Sequence, residues 1–147
     1  MSAKVTLNLA ARSVEIEYRW IENAAAISDR AVMVFLHEGL GSVALWKDFP
    51  DQLCAKTGLR GLVYSRPGYG KSTPRATDEY WSPDFMHQQA HEVLPVLLDR
   101  LGVTQPWLFG HSDGGSISLL FAAQFPSALR GAIVIAPHLF VETISIN

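Results

Sequence analysis

Four short runs carry no charged residue and no polar alternation: "AVMVFLH" (31–37), "GLVYS" (61–65), "PWLFGH" (106–111) and "GAIVIAP" (131–137). A strand with one face in water alternates apolar and polar residues, so unbroken apolar runs of this length predict strands covered on both faces. That is the environment of a parallel sheet, whose neighbouring strands need a crossover of about a dozen residues or more between them. Helical patterns at roughly 43–57, 83–101 and 114–125 supply such crossovers. The alternation predicts an α/β architecture, a mostly parallel sheet with flanking helices.

Two earlier segments read differently. "KVTLNLA" (4–10) and "SVEIEYRW" (13–20) alternate apolar with polar residues on either side of Ala11-Arg12, the pattern of a half-buried antiparallel hairpin. They predict two edge strands and bring the sheet to about six. In the middle helix Phe85, Val93, Val96, Leu97 and Leu101 recur near helical spacing, with Ser82 as N-cap, Pro83 in the first turn and Gly102 as the stop. Pro95 removes a backbone donor inside that helix and crowds the preceding turn, so a kink is expected there.

The chain, 147 residues long, fits one domain over 1–147, and its 48% hydrophobic and 18% charged content suits a chain that buries a core. A net charge of −2 with interspersed signs offers no basic field to nucleic acid or anionic lipid. No run approaches the ~18 apolar residues of a membrane span, and "MSAKVTLNLA" lacks the pattern of a signal peptide. A lone Cys54 leaves no internal disulfide and no cysteine cluster for a metal, so the expected setting is the cytoplasm.

The chemistry is concentrated where the third apolar run ends. Gly110-His111-Ser112-Asp113-Gly114 has the form G-x-S-x-G, placed between a buried strand and a helical pattern. A strand that reverses into a helix within a residue or two forces the central serine into a strained conformation, and flanking glycines clear the room. Such a turn lifts the hydroxyl above the carboxyl edge of the sheet and brings the first amides of the helix to the reacting centre. By chance alone the pattern would be a flexible loop; its strand-helix context favours a nucleophile. "LHEGLGS" (36–42) is a second glycine-rich turn after a buried strand, where an amide can face inward unobstructed. The amides of Gly39 and Asp113 are therefore the expected oxyanion hole.

A third turn, "YSRPGYGKS" (64–72), follows the second buried run. "HEGLGS", "SRPGYGKS" and "GHSDGG" together resemble the α/β-hydrolase family, in its branch of small esterases, proline iminopeptidases and meta-cleavage-product hydrolases. The resemblance spans nearly the whole chain. It implies a catalytic triad in the order Ser, acid, His, with the later members after two further strands. The sequence given stops after "GAIVIAPHLFVETISIN", so the expectation is a truncated α/β-hydrolase fold of about six strands with no lid domain.

Ser112 then needs a base from among five histidines. His111 flanks the nucleophile and is expected to point away and pack. His87 and His91 stand four apart on one helix face without an evident third ligand, which favours a packing or solvated role over a metal. His37 is expected to brace the hole through loop hydrogen bonds. His138, after the last apolar run, is the candidate base, and Glu142 could orient it, as the resemblance implies for members with an acid after the sixth strand. No cofactor and no metal is implied.

The function expected is a serine hydrolase of small carboxylic esters acting through an acyl-serine. A catalytically weak or inactive fold serving as a binding or assembly module stays open beside it, as does a fragment of a longer enzyme. "GAIVIAP" would lie at an apolar sheet edge and "VETISIN" alternates at period two, which predicts a homo-oligomer, most simply a dimer.

Overall fold

The computed structural model describes residues 1–24 and 31–140. Six strands form one sheet: β1 (Ala3–Asn8), β2 (Ser13–Ile21), β3 (Val32–Leu36), β4 (Arg60–Tyr64), β5 (Trp107–His111) and β6 (Gly131–Ile135). Their order is β1-β2-β4-β3-β5-β6, antiparallel at β1-β2 and β2-β4 and parallel from β4 through β6. The chain lays β4 on one side of β3 and then returns to lay β5 on the other. That reversal opens a crevice beyond the carboxyl ends of β3 and β5, the place where open α/β sheets take ligands.

Two apolar layers follow from the unbroken runs. On one face Val32, Val34, Leu36, Leu62 and Leu108 pack with Leu94, Leu97, Ile117 and Phe121. On the other, Met33, Phe35, Val63 and Phe109 pack with Val43 and Cys54. Alternate residues of β3 thus serve opposite layers, and all five are buried. Burial pushes the Cys54 thiol up to about 11, with Asp51 adding to the effect, so this cysteine is an inert core group.

The expected 43–57 helix is a 3-10 turn, Ala44–Trp46, followed by α1 (Phe49–Thr57). Lys47 between them takes φ 53, which interrupts the helix. The middle helix starts at Phe85, so Ser82 is not its N-cap; the residue at that position is Asp84. It runs as α2 (Phe85–Gln88), a π-helical turn (Gln89–Val93) and α3 (Leu94–Arg100). The wide turn directly precedes Pro95, whose missing N–H leaves the normal ladder incomplete, so the disturbance expected there is a π-bulge. Gly102, at φ 67, ends the segment as its N–H bonds the carbonyl of Asp99.

Two expectations about strands are corrected. β2 is not an edge strand, because its second side pairs with β4 through Tyr18–Ile21. β6 is not covered on both faces: Ile133 and Ile135 are 42% and 45% exposed. Its register opposite β5 explains its apolar character, but among the described residues nothing lies on its other side. Residues 141–147, with Glu142 and "VETISIN", lie outside the described residues. Among the described residues no helix is long and apolar enough to cross a membrane.

Candidate active site

Ser112 caps α4 (Asp113–Gln124) at φ 53 and ψ −116, a conformation that L-residues avoid. The surrounding contacts explain why the chain holds it there. Its N–H donates to the carbonyl of Ile135 at 2.8 Å, tying the turn to β6. A Cβ on Gly110 would stand 2.3 Å from the carbonyl oxygen of Gly114, and one on Gly114 would stand 2.0 Å from that of Leu36. The two glycines therefore permit a close approach of three backbone segments, and the strain at the serine follows from it.

His138 reaches the same point from β6. Ala136 takes φ 48 and turns the chain back toward the sheet edge. The Ser116 hydroxyl, one turn into α4, accepts from the His138 N–H at 2.7 Å and donates to the His138 carbonyl at 3.0 Å. With its backbone pinned in this way, His138 places Nε2 2.9 Å from Ser112 Oγ. Asp113 Oδ1 stands 3.4 Å from the same Nε2.

The Gly39 turn sits across from this pair. The Glu38 carbonyl accepts from the Gly41 N–H at 3.1 Å, which closes the turn around Gly39 and Leu40. The Glu38 carboxylate accepts from the Leu40 N–H at 2.6 Å. A Cβ on Gly39 would lie 2.9 Å from Asp113 Oδ2, so the turn and the first residue of α4 are in direct contact. The structure thus brings Ser112, His138, Gly39 and Asp113 to one edge of the sheet.

His37 has the bracing contacts expected of it. Its Nδ1–H donates to the Glu38 carbonyl at 2.7 Å and its Nε2 accepts from the Arg66 N–H at 3.0 Å. Burial, followed by the Arg66 guanidinium, lowers its pKa from 6.5 to about 3, against the opposing Glu38 hydrogen bond. Since the unfolded histidine binds its proton at the ordinary value, the resulting stability is complete above that value and is lost as pH falls toward 3. Near pH ~5 the expected loss is about 2 kcal/mol, read by urea denaturation at a series of pH values. His37→Gln should flatten that slope; an unchanged slope would show that another group carries it.

His111 is partly buried and lines a cavity of about 100 Å³ with His37, Glu38, Leu45 and Trp46, a lining that does not include Ser112 or His138. His87 and His91 are exposed, their ring centroids 5.8 Å apart, and His91 meets Phe125 edge-on. Among the described residues no group of three or more His, Cys, Asp or Glu could hold a metal ion.

Three contributors escaped the sequence reading: Ser116, the Asp113 side chain and Arg66. Ser116 carried a faint signal, being four residues after Ser112 and hence one helical turn further on. Arg66 carried none, because the carbonyls its guanidinium holds and the Asp113 carboxylate near it lie 28 to 47 positions away. The turn it belongs to is stitched to β2: Ser72 Oγ accepts from the Glu17 N–H, and Ser65 Oγ donates to the Glu17 carboxylate at 2.9 Å. Burial acts to raise the Glu17 carboxyl, but hydrogen bonds led by the Lys71 amide outweigh it and hold it below its ordinary value.

Comparison with known proteins places the fold. The chain is 27% identical over 128 residues to a mouse sn-1-specific diacylglycerol lipase, covering 87% of this chain and 38% of that protein. It is 28% identical over 108 residues to a proline iminopeptidase of Lactobacillus delbrueckii subsp. lactis, covering 73% and 36%. A crystal structure from a study of carboxylesterases of the thaumarchaeon Nitrososphaera gargenis superposes with TM-score 0.75 at 26% identity, over 97% of this chain and 48% of that one. The chain thus spans less than half the length of these relatives. A family model described as the alpha/beta hydrolase fold matches residues 31–147. The chain belongs to the α/β-hydrolase fold family.

Proposed function

We propose that the protein is a serine hydrolase of small carboxylic esters acting through an acyl-Ser112. The observation that carries this is the 2.9 Å contact of Ser112 Oγ with His138 Nε2 on a strained turn. In the forward step Oγ bonds the ester carbonyl carbon as its proton passes to His138 Nε2. The amides of Gly39 and Asp113 receive the negative charge that develops on the carbonyl oxygen. The ester C–O bond then breaks and the leaving alcohol takes the proton from His138. Water, giving its proton to the same nitrogen, releases the acid and restores Ser112. None of these steps calls for a metal or cofactor.

The lipase and carboxylesterase relatives support ester chemistry. Cys54, buried and unreactive, suits a reducing compartment such as the cytoplasm. The test is a fluorophosphonate probe, which should label one site per chain at Ser112, located by peptide mass mapping; absence of label on folded protein rejects the reading.

A weakly catalytic binding module is favoured by one observation, the Asp113 carboxylate 3.4 Å from His138 Nε2. A carboxylate there competes with Ser112 Oγ for the very nitrogen that must accept its proton. On that reading labelling fails while small esters still bind.

We further propose that copies associate through β6, whose outer edge is unpaired among the described residues and which runs into exposed Leu139 and Phe140. Light scattering at micromolar concentration should report a dimer, and Ile133→Lys should leave a monomer; a wild-type monomer would refute the association.

A further inference from the structure

We infer that Arg66 is a positioning residue that aims the Gly39 N–H at the developing oxyanion. The inference rests on the acyl-serine reading. Arg66 is 1% exposed, and a buried guanidinium is tolerated only when its donors are matched. Its Nη1 donates to the His37 carbonyl and its Nη2 to the Glu38 carbonyl at 3.2 Å, while Nη2 stands 3.9 Å from Asp113 Oδ2. The guanidinium carbon lies 4.9 Å from the ring centroid of Tyr69, which holds one face of the fork.

The consequence comes from peptide geometry. The Glu38 carbonyl and the Gly39 N–H belong to one planar unit, and in a trans peptide they point in opposite directions. Among the described residues no cis peptide interrupts the chain. A side chain that holds the Glu38 carbonyl toward itself therefore turns the Gly39 N–H away from itself. The same carbonyl also accepts from His37 Nδ1 and the Gly41 N–H, so three donors fix the plane. Asp113 Oδ2 lies within 2.9 Å of where a Gly39 Cβ would be, so its carboxylate stands against the same turn. The Arg66 cation beside it offsets a carboxylate that would otherwise repel a developing oxyanion.

Lysine keeps the charge but cannot hold two successive carbonyls with one rigid fork. Arg66→Lys should lower kcat for p-nitrophenyl acetate by about 10²-fold, the cost of losing one oxyanion donor, with KM little changed. In ¹⁵N-resolved NMR the Gly39 amide resonance should move while those of β1 stay in place. Should Arg66→Lys fail to fold, Arg66→Gln, a planar donor without charge, gives the same two readouts. An unaltered kcat with an unmoved Gly39 resonance overturns the inference, as does a rate loss carried by KM alone. If wild-type protein neither turns over ester nor takes the fluorophosphonate label, the acyl-serine reading fails by itself. The Gly39 resonance then still decides whether Arg66 sets the turn.

Discussion

On the proposed acyl-Ser112 mechanism, Ser112→Ala should abolish the burst of p-nitrophenol expected from an activated ester and lower kcat by roughly 10⁴- to 10⁶-fold, the range expected when a nucleophile that works with a base is removed. If the 2.9 Å contact with His138 Nε2 joins the two residues in one catalytic unit, His138→Ala should cost a similar factor and the double variant little more. Stopped-flow and steady-state rates on the three variants check this. Losses that add in the double variant would separate the two residues, and a His138→Ala rate close to wild type would remove His138 as the base. The same position carries a stability signature. Ser112 holds φ 53 against a penalty of about 1–3 kcal/mol, which glycine escapes. Ser112→Gly should therefore melt above Ser112→Ala, both variants being inactive. The reverse order would mean that the turn is not strained at this residue.

Local chemistry made part of this arrangement legible. Unbroken apolar runs marked β3, β4, β5 and β6 because side chains that fill two layers leave no polar position, and β3 shows this in full. Glycines on both sides of Ser112 marked the turn because a Cβ at Gly114 or Gly110 would stand 2.0 or 2.3 Å from backbone oxygens, so only glycine allows the segments this close. What stayed hidden depends on partners distant in sequence. The alternation in β2 reports that one face is wet, and it carries no information on how many edges are paired, so β2 read as an edge although it lies between β1 and β4. β6 has the composition of a covered strand, but coverage depends on what packs against it. Pro95 was readable as a disturbance, while its form, a π-bulge, depends on how neighbouring turns absorb a missing donor. Ser116, Asp113 and Arg66 act through side chains whose targets only the folded chain brings near, and no periodicity records such contacts.

Gly114→Ala should be among the most destabilising single-methyl changes available to this protein. The added Cβ would stand 2.0 Å from the Leu36 oxygen, 2.4 Å from the Leu36 carbon and 2.8 Å from the His37 oxygen. All three are backbone atoms of β3 and its exit, and they cannot turn aside as a side chain would. Leu36 is paired in register with Gly110, so moving it strains the β3-β5 ladder as well. Relief requires α4 to lift from the sheet, which costs at least about 3 kcal/mol, at or beyond the upper end for ordinary overpacking. For a chain of this size that corresponds to a fall of about 10 °C in Tm. Gly102→Ala is the matched control: it also sits at positive φ, 67, but a Cβ there meets nothing within 4 Å. Its cost is backbone strain alone, about 1–2 kcal/mol. Calorimetry on the pair separates the two causes, and equal shifts would deny that close approach is what α4 requires. Function follows the same displacement, because α4 carries Asp113 and Ser116 and β3 leads into the Gly39 turn. Folded Gly114→Ala protein should therefore lose labelling at Ser112, while Gly102→Ala retains it.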